Sequence, residues 1–354
     1  MKNKEIMKMV CELLLAGCFV VPLSGCGELS VEVVTPPDKL VASEGPSSDS
    51  TAPSNEVADI VVVHDEIQTP EEEEILPEAD FNDHKTEEAK ELLPSEQAVV
   101  KSVTASGPVA LDPSWEYASY SKINSGHAVL YRAEVGRKDI VIGVNAGHGT
   151  NGGTKVKTFS HPDMSPKFTG GTNAKGAVES MAVSSGMTFN DGSREAVVAL
   201  ATARKLRDLL LANGYDVLMV RDDDDVQLDN IARTVICNNL ANCHISIHFD
   251  GDGLDHDKGC FFISTPDGLK SSVPVAFVWE KSEALGRSLV EGLRGKGCKI
   301  NGNGAMAIDL TQTSYSTVPS VDIELGNQTT PHDDANLARF AEGLLDGING
   351  YFLK

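Results

Sequence analysis

What this 354-residue sequence lacks removes several protein classes at once. No segment carries a basic stripe able to neutralise phosphates, which argues against nucleic acid as a partner. A net charge of -22 likewise disfavours tight adsorption to an anionic membrane surface. There is no Gly-x-Ser-x-Gly elbow, so a serine hydrolase is disfavoured. Gly170-Gly171 and Gly295-Lys296-Gly297 lack the strand and the Lys-Ser/Thr context of a phosphate loop. Of seven cysteines, Cys11, Cys18 and Cys26 fall at the N-terminus. The other four, Cys237, Cys243, Cys260 and Cys298, show no zinc-ribbon spacing, and the sequence leaves their redox state open.

The first residues have the pattern of an export signal. Lys2, Lys4 and Lys8 form a positive start, and Leu13 to Leu23 is an apolar run too short to span a bilayer. It ends in Leu23-Ser24-Gly25-Cys26, which resembles the lipobox of bacterial lipoproteins and implies a signal peptide over residues 1–25 with acylation of Cys26. Leu15-Ala16-Gly17-Cys18 fits the same pattern, but cleavage there would leave a short apolar run interrupted by Glu12, so Cys26 is preferred. The expected location is extracytoplasmic, held to the membrane through lipid only, where a diacylglycerol supplies the two chains that stable anchoring needs.

Residues 26–112 are read as an acidic linker, rich in Pro, Ser and Glu, that stays disordered. Between Glu28 and Glu96 acidic residues outnumber Lys39, Lys85 and Lys90 by roughly six to one, and such self-repulsion extends a tether. Order is expected from about Pro113, so residues 113–354 form the folded part.

There, strands and helices alternate. The apolar run Asp139–Asn145 reads as a buried strand, Ser193–Asn213 as a helix capped by Ser193 and ended by Gly214, and Asp216–Arg221 as the next strand. A helix over about 228–239, strands at His244–Phe249, Cys260–Ser264 and Ser320–Leu325, and helices at Val275–Gly295 and Asp333–Phe352 complete the pattern. The expected fold is α/β: a single domain with a twisted, mainly parallel sheet flanked by helices.

Two strands end in histidine, at Asn145-Ala146-Gly147-His148-Gly149 and at Ser246-Ile247-His248-Phe249-Asp250. Open α/β sheets place their crevice beyond such strand ends. Glu195, in the first turn of the long helix, would face the same crevice. Two histidines and a carboxylate, with one position left open, make a recognised catalytic zinc shell.

His148 in its Gly-His-Gly turn, Glu195, Arg221, Ser246-Ile247-His248 and Val321-Asp322-Ile323-Glu324-Leu325-Gly326 occur in the order of the zinc-dependent N-acetylmuramoyl-L-alanine amidases of the amidase-3 family. The resemblance spans roughly Asp139 to Phe352. It implies one zinc ion on His148, Glu195 and His248, Glu324 as the catalytic glutamate, and peptidoglycan as the partner. Zinc lowers the pKa of a water towards about 7, and Glu324 would act as general base in hydrolysis of the amide between the lactyl group of N-acetylmuramic acid and L-alanine. The same shell would also serve a zinc peptidase or deacylase acting elsewhere on the wall, and loss of catalysis would leave a wall-binding lipoprotein. No separate wall-binding repeat is evident, and the sequence names no protein partner.

The sequence departs from the family where Asn145-Ala146 replaces Asp-Pro, which predicts a missing carboxylate near the metal. Phe249-Asp250 replaces Ala-Asn, and Asn327 stands where an aromatic is common. Thr150–Gly192 is longer than the usual connection; a groove lining, a lid and an inert loop are all compatible with its composition. His244 lies about 13 Å from His248 along the strand, too far to share a metal, and is read as a satisfied core or edge histidine. Asp250, Asp252, Asp255 and Asp257 lack the calcium-loop pattern and are read as solvated. Asp222–Asp225 is read as a turn, with Arg233 a candidate partner.

Overall fold

A computed structural model describes residues 105–353 of the chain. The signal, Cys18, Cys26 and most of the expected linker lie outside the described residues.

An eight-stranded sheet runs β1-β2-β6-β3-β7-β10-β8-β9. Its strands are β1 (Gly107–Ala110), β2 (His127–Tyr131), β3 (Val141–Ala146), β6 (Asp216–Met219), β7 (Cys243–Asp250), β8 (Cys260–Ser264), β9 (Ile300–Ala307) and β10 (Ser320–Asn327). A separate two-stranded sheet pairs β4 (Lys157–Phe159) with β5 (Glu179–Met181). The centre, β6-β3-β7-β10, is parallel throughout, as is β8-β9, while β1-β2, β2-β6 and β10-β8 are antiparallel. The expected mainly parallel α/β sheet is therefore what forms. β1 pairs with β2 ahead of Pro113, so the sheet reaches into residues assigned to the linker.

Among the described residues, five α-helices pack on it: α1 (Glu195–Ala212), α2 (Asn230–Leu240), α3 (Trp279–Gly295), α4 (Thr311–Tyr315) and α5 (Asp334–Phe352). Every residue of β3 is buried, as a strand covered on both faces requires. Strand alternation divides the chemistry. Ile245, Ile247, Val321, Ile323 and Leu325 belong to the main core with Leu206 and Leu210 of α1, Leu289 of α3 and Leu344 of α5. The opposite face of the same strands carries His244, Ser246 and His248, paired in register with Ser320, Asp322 and Glu324. A second core joins Leu218 and Val220 to Ala232, Ile236 and Leu240 of α2.

Ser193 does not cap α1. The N-cap is Arg194, without a side-chain cap bond, and Ser193 instead donates its N–H to Asp191 and accepts from the Phe189 N–H. The cap and the helix start therefore fall one residue later than expected, with Glu195 as the first helical residue. Asp229 does cap α2, accepting from the Ala232 N–H. Asp222 meets Arg204, Arg207 and Tyr131, not Arg233.

Candidate metal centre

β3 ends at Ala146 and the chain turns through Gly147-His148-Gly149, where His148 itself takes a left-handed conformation at φ 63°. Such a conformation costs a non-glycine residue free energy, and the surroundings hold it in place. Arg221 is fully buried beneath the turn. It donates to the carbonyls of Ala146, Gly147, Asp223 and Ala196, tying the turn to the first residues of α1. Burial lowers the Arg221 pKa to about 10. Arg233, also buried, donates to the His148 carbonyl at 2.5 Å, to Thr150 Oγ1 and to Asn145 Oδ1.

The backbone so held brings three donor atoms together. His148 Nε2 lies 2.8 Å from Glu195 Oε1, and His248 Nδ1 lies 3.0 Å from each of them. Among the described residues, these three side chains form a group able to hold a metal ion. A tetrahedral zinc shell with ligands at about 2.1 Å sets neighbouring donors about 3.4 Å apart, so the triangle needs to open by only a few tenths of an ångström.

Each of the three side chains is held by a further contact. His148 Nδ1 lies 2.9 Å from the Ser184 carbonyl and 3.0 Å from Ser184 Oγ; donation from Nδ1 to the carbonyl leaves Nε2 free as a ligand. Glu195 Oε2 accepts from the Met187 N–H and Oε1 from the Phe249 N–H. His248 turns Nε2 towards Asp322 Oδ2, 3.6 Å away. The ring of His248 fills the space above Gly147, where a Cβ would come within 2.3 Å of it.

Charge favours a cation here. Burial works against the charge of Glu195, but His148 and then His248 outweigh it and hold its carboxyl below the usual range. Burial also opposes a charged His248, yet Asp322 and Glu195 push its pKa up to about 10. Burial, then Asp322, raise the Glu324 carboxyl well above the ordinary value. Asp322 Oδ1 and Glu324 Oε2 are buried without a hydrogen-bond partner among the described residues. Two imidazoles facing one buried and two half-buried carboxylates, the latter each with an orphaned buried oxygen, suit a divalent ion.

Glu324 sits opposite His248 in the parallel register, about 4.8 Å across the ladder, and lines the same cavity of about 590 Å³. The sequence thus named four residues that the fold gathers at one strand end. It did not single out Ser184, the Met187 N–H or Asp322 as supports. The carboxylate expected to be missing with Asn145 is supplied from another strand, by Asp322, while Asn145 donates to Ser246 Oγ and accepts from Arg233.

The long Thr150–Gly192 connection is not an inert loop. It forms the β4–β5 pair, delivers Ser184 and Met187 to the ligands, and walls the cavity with Lys167, Asn173 and Val183. A buried cluster fastens it: His161 Nε2 lies 2.9 Å from Asp309 Oδ1, Lys167 Nζ lies 3.5 Å from the same oxygen, and the Phe168 N–H donates to Oδ2. The acidic loop is pinned as well, Asp250 and Asp252 to Lys258, and Asp257 to Thr330. His244 is buried and, among the described residues, has no hydrogen-bond partner at either ring nitrogen, contrary to the satisfied histidine expected; burial, then Arg233, lower its pKa to about 3.

Fold and cluster define an α/β protein with a candidate metal centre beyond its parallel strands. The amidase-3 family model, N-acetylmuramoyl-L-alanine amidase, matches residues 142–343, and the chain belongs to that family. Membership makes it an enzyme of peptidoglycan amide hydrolysis. Similar solved structures include the amidase Ami1 from Mycobacterium smegmatis, 19% identical over 60% of this chain and 96% of that one, with TM-score 0.49. Others are the catalytic domain of CwlV from Bacillus (Paenibacillus) polymyxa, 20% identical over 60% and 97%, TM-score 0.42, and CwlD from Clostridioides difficile in complex with the GerS lipoprotein, 19% identical over 61% and 99%, TM-score 0.43. No curated protein sequence matches the chain.

Proposed function

We propose that the chain cuts the amide between the lactyl group of N-acetylmuramic acid and L-alanine, with one zinc ion on His148, Glu195 and His248 and Glu324 as general base. The observation that carries this reading is the donor triangle of 2.8 to 3.0 Å with Glu324 in register beside it. When bound, zinc supplies Lewis acidity, which acidifies a water and offsets the negative charge that builds on the carbonyl oxygen. Glu324 takes the proton of the attacking water and returns one to the departing alanine nitrogen. Ser184 and Asp322 keep the two imidazoles facing inward. The Met187 and Phe249 N–H groups hold the Glu195 carboxylate against rotation.

The same reading assigns residues 1–25 to a lipoprotein signal, Cys26 to lipidation, the stretch that follows it to a tether, and the chain from β1 at Gly107 onward to the catalytic domain. Support for anchoring rests on the lipobox pattern; among the described residues no helix is long and apolar enough to cross a membrane.

The test is mass spectrometry of peptidoglycan digested by the purified zinc-supplied protein, beside Glu324→Ala. Free stem peptides beginning at alanine are expected from the parent, with a loss of roughly 100-fold or more in the variant while zinc content is retained. Cuts at another bond would replace the substrate, and a fully active Glu324→Ala would remove the general base.

A further inference from the structure

Two buried thiols take no part in the site. Cys260 opens β8 and Cys298 follows the end of α3, two residues before β9. The Cys260 N–H donates to the Lys299 carbonyl at 2.7 Å, and Cys260 pairs with Ile300 in the parallel β8–β9 ladder. Cys298 immediately precedes Lys299, so this backbone bond sets Cys298 beside Cys260, and both belong to the main core. The influence of each thiol on the other lowers the Cys298 pKa and raises that of Cys260, whose Sγ donates to the Leu325 carbonyl at 3.4 Å. Both cysteines are free.

We propose that Cys260 and Cys298 are a modification site, a thiol pair that closes to a disulfide by exchange with a small-molecule or protein disulfide. Cys298, the more exposed of the two at 8% against 1%, is the entry point. Its thiolate attacks one sulfur of the external disulfide, forming a mixed disulfide and expelling one thiolate. Cys260 then loses its proton and attacks Cys298 Sγ, expelling the second thiolate. Two cysteine thiols are oxidised by two electrons and one external disulfide is reduced to two thiols.

A bridge here would fasten edge strand β9 to β8. β9 leads directly to Ile308, Asp309 and Gln312 in the cavity wall, and Asp309 holds the 150–192 segment through His161. The link would stiffen that wall without touching a ligand. It closes a loop of about 40 residues, enough for a clear gain in stability if the native geometry accepts the bond. Cys237 and Cys243 are fully buried and offer an external disulfide no comparable access.

The experiment treats the full chain, purified reduced, with excess oxidised glutathione, then alkylates it under denaturing conditions for non-reducing peptide mass spectrometry. The expected result is one cross-linked peptide pair containing Cys260 and Cys298, with Cys237 and Cys243 alkylated. The oxidised protein should also unfold roughly 5 to 10 °C higher than the reduced one, a shift absent from Cys298→Ser. Full alkylation of both cysteines, or a glutathione adduct that stays on Cys298, would overturn the proposal. Because the parent protein supplies the peptide result, a Cys298→Ser variant that fails to fold leaves the test intact.

Discussion

Replacing Gly186 by alanine should open the metal centre from outside it. Gly186 has φ +80°, and a Cβ there would lie 2.7 Å from His148 Cδ2 and 2.8 Å from Glu195 Oε2. Ordinary contact begins near 3.4 Å, so the two ligands would have to retreat by 3.4 − 2.8 = 0.6 Å or more. Metal sites tolerate about 0.2 Å in ligand position, and disturbing the groups that orient ligands costs about 10- to 100-fold in affinity, or about 1.4 to 2.7 kcal/mol. The left-handed backbone adds about 1 to 2 kcal/mol of conformational strain on its own. Gly192→Ala separates the two effects, because Gly192 has φ +91° with nothing within 4 Å of its added Cβ. Zinc affinity measured by competition with a chromophoric chelator should therefore fall in Gly186→Ala and hold in Gly192→Ala, while thermal stability drops in both. Equal zinc affinity in Gly186→Ala and the parent would refute the reasoning, since it would mean that His148 and Glu195 are not held where the cluster requires them.

Asp322→Asn removes the carboxylate facing His248 Nε2 at 3.6 Å and should weaken zinc binding about 10-fold or more while the fold is kept; unchanged affinity would show that Asp322 does not position the ring. Acid should loosen the 150–192 wall. Burial works against the charge of Asp309, but His161, then Lys167 and the Phe168 N–H, outweigh it and hold the carboxyl below its usual value of 3.8. A group depressed on folding stabilises the fold fully above its unfolded pKa, and that contribution is lost as pH falls through the folded value. Hydrogen exchange in residues 157–181 should thus accelerate below about pH 4 ahead of exchange in β3, and in Asp309→Asn this pH dependence should disappear. Parallel acceleration in both segments would count against the cluster as the anchor.

The stretches with strong periodicity were legible in the sequence. β3 read as a strand because it is an apolar run, β7 and β10 because apolar and polar residues alternate along them, and α1 and α5 read as helices from their apolar faces. β9 was missed because Asn301-Gly302-Asn303-Gly304 carries turn chemistry, and only its pairing with β8 at the sheet edge makes it extended. Ser193 looked like a cap because of its type, but its carbonyl accepts from the Phe189 N–H, and the first helical bond, from the Val198 N–H, goes to the Arg194 carbonyl.

By itself the sequence marked the candidates for the chemistry: His148, Glu195, His248 and Glu324 stand at strand ends or a helix start, positions set by local pattern, and their order matches one family. Only the tertiary structure decided what holds them. Ser184 and Met187 lie in a segment without helical or strand period, and Asp322 acts across the ladder on a residue 74 positions away in the chain (322 − 248 = 74). Such contacts join residues distant in sequence through backbone carbonyls, amides and register, which residue type does not encode. The long connection lines the cavity, and what fastens it is Asp309, a single buried carboxylate contributed from the chain between β9 and α4.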